Sequence, residues 1–185
     1  MAGGLRRENG ESTTESQRHR EEQGRRKRTE NVFLCGSVVE DFMLKIGKTE
    51  LEVIRRHGEE TYPHECCGVL LGQMDPDARI VSSVTRCGNT REDSPHNRYN
   101  IDPRELIRIQ REGRERGEDI VGFYHSHPDH PAQWSPTDLA EAHWFGCSYV
   151  ITSVEKGKAA TTNSFELAGS DENDKKLVEE KIGVG

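Results

Sequence analysis

Asp119-Ile120-Val121-Gly122-Phe123-Tyr124 constrains the fold more than any other stretch of this chain. Its apolar residues are nearly continuous over a short span, which reads as a short buried β-strand. The run passes directly into His125-Ser126-His127-Pro128, and after seven intervening residues Ser135-Pro136-Thr137-Asp138 reads as a helix start. Side chains alternate faces along a strand, so His125 and His127 project together while Ser126 points away. Two imidazoles and the carboxylate of Asp138 leave the fourth position of a tetrahedral Zn²⁺ open, which separates a catalytic site from a closed structural one. Bland explanations stand beside this one. A His-x-His pair arises by chance among eight histidines in 185 residues. Asp138 also suits a helix N-terminus, with Ser135 as N-cap, Pro136 at the first helical position and an acid three residues after the cap. Capping and ligation can coexist.

The whole constellation is more specific than its parts. His-Ser-His, seven residues, Ser, two residues and Asp, with a Glu far upstream, resembles the signature of the JAMM (MPN-plus) zinc metalloprotease family. The upstream acid is Glu65, in Tyr62-Pro63-His64-Glu65-Cys66-Cys67-Gly68-Val69-Leu70-Leu71-Gly72, a segment that looks like that family's first core strand. The resemblance covers about residues 43 to 168 and the motif shows no departure. It implies one Zn²⁺ per chain held by His125, His127 and Asp138. It also implies Glu65 as the general base and acid that activates water and later protonates the leaving amine. Ser135 would donate to the developing oxyanion, an interaction worth ~3 kcal/mol in comparable sites. Taken alone, a Glu at a strand end is a surface residue and Ser135 a helix cap.

The substrate class comes from the same resemblance: an amide or isopeptide bond after the Gly-Gly tail of a small ubiquitin-like or sulfur-carrier protein. An extended tail of that kind can add as a strand beside an exposed sheet edge. Short connections on both sides of the motif look like the stand-alone prokaryotic branch, in which some members release a carboxy-terminal cysteine from sulfur carriers. Four rivals have distinct signatures. A non-catalytic scaffold or protein-binding module of the same fold would lack the metal ligands. The DNA-repair branch of the fold usually has Asn where this chain has Ser126. A zinc nucleobase deaminase needs a Pro-Cys-x-x-Cys element that is absent. A cysteine hydrolase pairing Cys66 or Cys67 with His125 predicts inhibition by thiol alkylation rather than by chelators.

The remaining elements follow in order. Met43-Leu44-Lys45-Ile46 alternates like a first strand, and Lys48 to Thr61 carries Leu51, Ile54 and His57 or Gly58 at helical spacing before Tyr62-Pro63. Strands at Cys66–Leu71 and Arg79–Cys87 flank a turn-rich link at Gln73–Asp77. Residues 88–98 form a polar loop of the kind that lines binding sites, with His96 as a candidate substrate contact. A helix with Leu106, Ile107 and Ile109 ends at Gly117. Past Asp138 the pattern predicts a helix through Leu139, Ala142 and His143 to Gly146, strands at Ser148–Val154 and Ala160–Leu167, and a charged amphipathic helix from Asp171 to Ile182. This order suggests an α/β fold, a single mixed β-sheet flanked by helices. The matching family fold is the MPN/JAMM, cytidine-deaminase-like sandwich. Trp134 reads either as a cover for the metal or as a packed loop anchor. His64, His130 and His143 are candidates for outer partners of the ligands, with nothing to single one out.

Composition bears on the ends and the surroundings. The chain is 31% hydrophobic with a mean hydropathy of -0.88, low for one modest domain, and the polar excess lies at the front. Residues 1–30 hold eight Lys or Arg and six Glu with almost no core-forming residues, so a charged, disordered extension is expected over 1–42 and the metalloprotease domain over 43–185. That segment carries +2 of a total of -7, so the rest carries -9, a poor charge for a nucleic-acid binder. Arg25-Arg26-Lys27-Arg28 reads as a solvated run or as a patch for an anionic partner. No secretory signal or apolar run long enough to span a membrane is visible, which places the protein in the cytoplasm. Five cysteines with no Cys-x-x-Cys indicate neither a zinc ribbon nor a disulfide framework. Cys66 and Cys67 are adjacent on a strand and point to opposite faces, which suits small core residues, one of them near enough to Glu65 to be redox-sensitive.

Overall fold

The computed structural model describes residues 43–91, 94 and 96–185, so the extension expected over 1–42 lies outside the described residues. Within them the chain forms β1 (Met43–Ile46), α1 (Lys48–Thr61), β2 (Cys67–Asp75), β3 (Ala78–Cys87), α2 (Pro103–Glu115) and β4 (Asp119–Pro128). It continues through α3 (Pro136–Glu141), β5 (Ser148–Glu155), β6 (Lys158–Ala168) and β7 (Lys176–Val184). No helix among the described residues is long and apolar enough to cross a membrane.

One mixed sheet runs β1-β3-β2-β4-β5-β6-β7. β2 lies antiparallel to β3 and β4, β4 is parallel to β5, and β5, β6 and β7 are successively antiparallel. β4 sits at the centre and is buried from Ile120 to Pro128, as its apolar run requires. The sandwich expected from the element order is corrected by the last pairing. β7 lies parallel to β1, with Leu44 opposite Ile182, and the sheet closes into a barrel.

That closure depends on a segment whose local pattern points elsewhere. Asp171–Ile182 reads as an amphipathic helix, but Ser170–Asp174 is a turn instead. The Asp174 carboxylate accepts the backbone N–H groups of Ser170 and Asp171 at 2.8 and 2.9 Å, the kind of local capture that competes with a helix. Beyond it, β7 pairs with β6 on one side and β1 on the other, and these distant partners override the helical spacing. α3 is also shorter than expected. It ends at Glu141 because Ala142 turns extended and is buried, while the Lys175 ammonium donates to the Ala140 and Ala142 carbonyls that a longer helix would use.

Two apolar clusters cover the two faces of the central strands. One joins Val69, Leu71, Phe123, Tyr149 and Ile151 to Ile109 of α2. The other joins Leu44, Leu70, Val121, Tyr124 and Val150 to Ile54 of α1. Phe123 and Tyr124 therefore face opposite clusters, and the alternation carries His125 and His127 to the first face and Ser126 to the second. Gly68 permits the second: a Cβ there would fall 2.3 Å from Tyr124 Cε1 and 2.4 Å from the Thr85 carbonyl oxygen.

On that second face, His57 of α1 meets the Tyr124 hydroxyl at 2.8 Å through Nδ1. Burial, with the Arg86 charge adding to it and Glu60 opposing, lowers the His57 pKa from 6.5 to about 4. A folded pKa below the unfolded one means the unfolded chain takes up a proton that the native state refuses. The stability due to neutral His57 is thus complete above pH 6.5 and is lost as the pH falls toward 4, on the order of 3 kcal/mol in all. Urea unfolding of metal-free protein at pH 7 and near pH 4 measures this. The fall should be smaller in the His57→Gln variant, and an identical fall would assign the pH dependence elsewhere.

Candidate active site

The β4 terminus and the start of α3 meet on the first face of the sheet. His125 and His127 Nε2 atoms are 3.0 Å apart, and the Asp138 carboxylate oxygens lie 3.3 Å from His125 Nε2 and 3.5 Å from His127 Nε2. Ligands bound at zinc's usual distances to one tetrahedral ion lie about 3.3 Å from each other. The donor set and its spacing therefore fit a metal ion.

Each donor is held from behind. Asp138 is the third helical residue of α3: its Oδ2 accepts the Ser135 backbone N–H at 2.6 Å while its own N–H donates to Ser135 Oγ at 3.2 Å. This reciprocal capping box sets the carboxylate's direction and leaves its other oxygen, Oδ1, toward His125. His127 Nδ1 is 2.9 Å from the Pro131 carbonyl, which can only accept, so Nδ1 carries the proton and Nε2 faces the site. His125 Nδ1 is buried with no hydrogen-bond partner among the described residues. Its ring is instead stacked by Tyr99, centroids 4.7 Å apart and planes 27° from parallel.

Charge balance at the site follows from burial. Burial alone would raise the Asp138 pKa, but the hydrogen bonds from His125 and His127 outweigh it and hold the carboxyl well below the usual range. Burial lowers the His125 pKa, with the Asp138 interactions opposing. At His127 burial pulls the same way, but the hydrogen bonds to Asp138 and to the Pro131 carbonyl raise the pKa overall.

Glu65 lies just before β2, one strand away. Cys67 stands opposite His125 in the β2–β4 pairing, so continuing the antiparallel pattern brings Glu65 toward His127. Glu65, His127, His130, Gln133, Ser135 and Thr137 line a cleft of about 390 Å³, with Asn97 and Pro131 completing it. Glu65 is only 4% exposed and its Oε2 has no hydrogen-bond partner among the described residues. Burial pushes its pKa up to about 8, with the His127 charge opposing and Asp138 adding.

The five residues that the motif singles out thus come together. The sequence-level reading of the loop residues fares differently. Asn97, not His96, lines the cleft; the His96 ring turns to the Pro63 carbonyl at 2.9 Å and lies 4.5 Å from the His64 ring. His130 lines the cleft, His143 pairs with Glu172 at 3.0 Å, and Trp134, 37% exposed, is not among the lining residues. Tyr99, Asn97 and Gln133 carry no spacing signal, since only the tertiary fold brings them near His125, His127 and Asp138. The cysteine-nucleophile alternative gains no support from the site: Cys66 and Cys67 are both buried, and burial pushes the Cys66 thiol up to about 12 and raises that of Cys67 as well.

The sequence model of a family described as prokaryotic homologs of the JAB domain, Prok-JAB, matches residues 48–168, which include every residue of this site. The chain belongs to that family. The chain is 42% identical over 93 residues to the Desampylase of Haloferax volcanii, a match covering 50% of this chain and 65% of that protein's length. It is 31% identical over 125 residues to a Probable TtuB-protein conjugate cleaving protease of Thermus thermophilus, covering 68% of this chain and 80% of that one. Two solution structures are also similar. One, of a Desulfitobacterium hafniense protein, has a TM-score of 0.67 at 32% identity and covers 77% of this chain and 93% of that one. The other, from Salinibacter ruber, has a TM-score of 0.59 at 36% identity, with 77% and 92% covered.

Proposed function

We propose that this JAB-domain protein is a zinc-dependent peptidase or isopeptidase that hydrolyses the amide bond after the Gly-Gly tail of a small ubiquitin-like or sulfur-carrier protein. The observation that carries the reading is the convergence of His125, His127 and Asp138 at a cleft that His127 and the buried Glu65 carboxylate line. The similarity to a desampylase and to a conjugate-cleaving protease supports the substrate class. His125, His127 and Asp138 would hold one Zn²⁺ per chain. When bound, the ion supplies Lewis-acid chemistry, polarising a carbonyl and making water acidic enough to react near neutral pH.

The chain's own groups do the rest. Glu65, a buried carboxylate lining the cleft, accepts a proton from the attacking water and returns it to the leaving amine. Ser135 Oγ already accepts the Asp138 N–H, so its hydroxyl proton is available to the cleft, where a developing oxyanion needs a donor. Pro131 keeps the His127 ring from turning. The described cysteines Cys66, Cys67, Cys87 and Cys147 are free thiols, in keeping with work in the reducing cytoplasm.

The direct test is incubation of the zinc-loaded protein with a Gly-Gly-tailed carrier, either extended by one residue or joined to a lysine. Cleavage after the second glycine is expected, abolished by a chelator and restored by Zn²⁺. Metal analysis should find one zinc per chain, lost from the His127→Ala variant. Absence of cleavage of both substrates by zinc-loaded protein would sink the reading.

A further inference from the structure

We infer that Ser126 is a positioning residue: its buried hydroxyl clips the start of β2 to the metal-binding strand and thereby sets Glu65 over the ligands. The inference deepens the function proposed above and rests on it.

Opposed residues of an antiparallel pair either exchange both main-chain hydrogen bonds or neither. The β2–β4 register runs to Cys67 opposite His125, and the next pair is Cys66 with Ser126. Here only half of the main-chain exchange is made. The Ser126 N–H donates to the Cys66 carbonyl at 3.2 Å, while the Cys66 N–H donates to the Ser126 side-chain Oγ at 2.9 Å. The hydroxyl takes the place of a carbonyl, so the pairing is prolonged by one residue at the point where the chain leaves the sheet.

Position makes this consequential. Ser126 lies between the two histidines and is fully buried, with its side chain on the face opposite theirs. Cys66 directly follows Glu65. Ser126 thus links the strand that carries His125 and His127 to the backbone that carries the carboxylate; the Glu65 carbonyl also accepts from Asn89 Nδ2 at 3.4 Å. The clip is itself held, because α1 packs against it through Gly58: a Cβ at that position would fall 3.2 Å from Ser126 Cβ and 2.9 Å from Val154 Cγ2. The hydroxyl therefore has little room to turn elsewhere, and Glu65 has no hydrogen bond of its own at Oε2 to replace the lost constraint.

The test is Ser126→Ala in the full chain, a change that keeps the Cβ packed against Gly58 and removes the hydroxyl. The zinc affinity, read by competition with a chromophoric chelator, should be unchanged, where a residue acting on the ligands would cost about tenfold or more. The Cys66 amide should exchange with deuterium faster than in the wild type. On a Gly-Gly-tailed carrier extended by one residue, kcat should fall about 10²-fold with KM unchanged, the cost of a small misplacement of a reacting group. In a Glu65→Gln background the same substitution should add no further loss, since the two act through one group. An equal loss in both backgrounds, a loss of zinc affinity, or an unaltered kcat overturns the inference. Wild-type protein that is active while Ser126→Ala is unimpaired defeats the inference alone; wild-type protein that cleaves no such substrate defeats the peptidase reading and this inference with it.

Discussion

Glu65→Gln protein is expected to keep one zinc per chain and to lose hydrolysis about 10³-fold. The substitution is nearly isosteric and removes only the ability to take and return a proton. Glu65 is not one of the three converging donors, so metal content should not change. The size of the loss follows from what the residue is asked to do. A base and acid effective near neutral pH needs a pKa close to the working pH, and burial moves that of Glu65 upward from the ordinary carboxylate range. An amide at this position supplies neither function, and the leaving amine departs without a proton donor. Steady-state kinetics on a Gly-Gly-tailed substrate, with zinc measured on the same sample, decide the matter. Retained activity with retained zinc would remove Glu65 from the chemistry, and lost zinc would recast it as a support for the ligands.

The second large effect falls on stability, at the seam of the barrel. Arg79 of β3 is 1% exposed, and its guanidinium contacts Glu180 of β7 at 2.9 Å, Glu166 of β6 at 3.1 Å and the Gly146 carbonyl at 2.6 Å. Glu180 also accepts the Ser164 hydroxyl at 2.7 Å. This buried network ties together three of the strands at and next to the closure. Arg79→Met should destabilise the fold by about 3–5 kcal/mol, because it leaves the Glu180 carboxylate buried without its cation. That is a large share of the ~5–15 kcal/mol by which such a domain is stable. Replacing both partners, Arg79→Met with Glu180→Leu, removes the stranded charge and should recover most of the loss. Urea unfolding of the two variants measures the difference. Equal destabilisation in both would show that packing volume, not the unpaired carboxylate, is responsible.

Sequence and structure agree where local rules suffice. The strand at 119–128, the helices at 48–61 and 103–115 and the cap at Ser135 follow from apolar spacing, Pro103 and the Asp102 and Ser135 side chains. The loop at 88–98 contributes to the cleft through Asn97, a neighbour of the histidine that its chemistry suggested. The segment from Asp171 to Ile182 shows the opposite case. Its spacing satisfies a helix, and only the presence of β6 and β1 on either side makes a strand the better use of the same residues. A pattern of side chains says which face is apolar; it does not say what will be there to cover it.

By itself, then, the chain determined the local geometry of the candidate donors: period two puts His125 and His127 on one face, and the Ser135-Pro136-Thr137-Asp138 cap aims a carboxylate, both within a few residues. The tertiary structure alone decided that Glu65 is buried beside them, that Tyr99 stacks on His125, that Ser126 clips Cys66, and that β7 closes the barrel through Arg79 and Glu180. The reason is physical. Alternation and capping are set by neighbours along the backbone, whereas desolvation, stacking and strand closure depend on groups that only folding brings together.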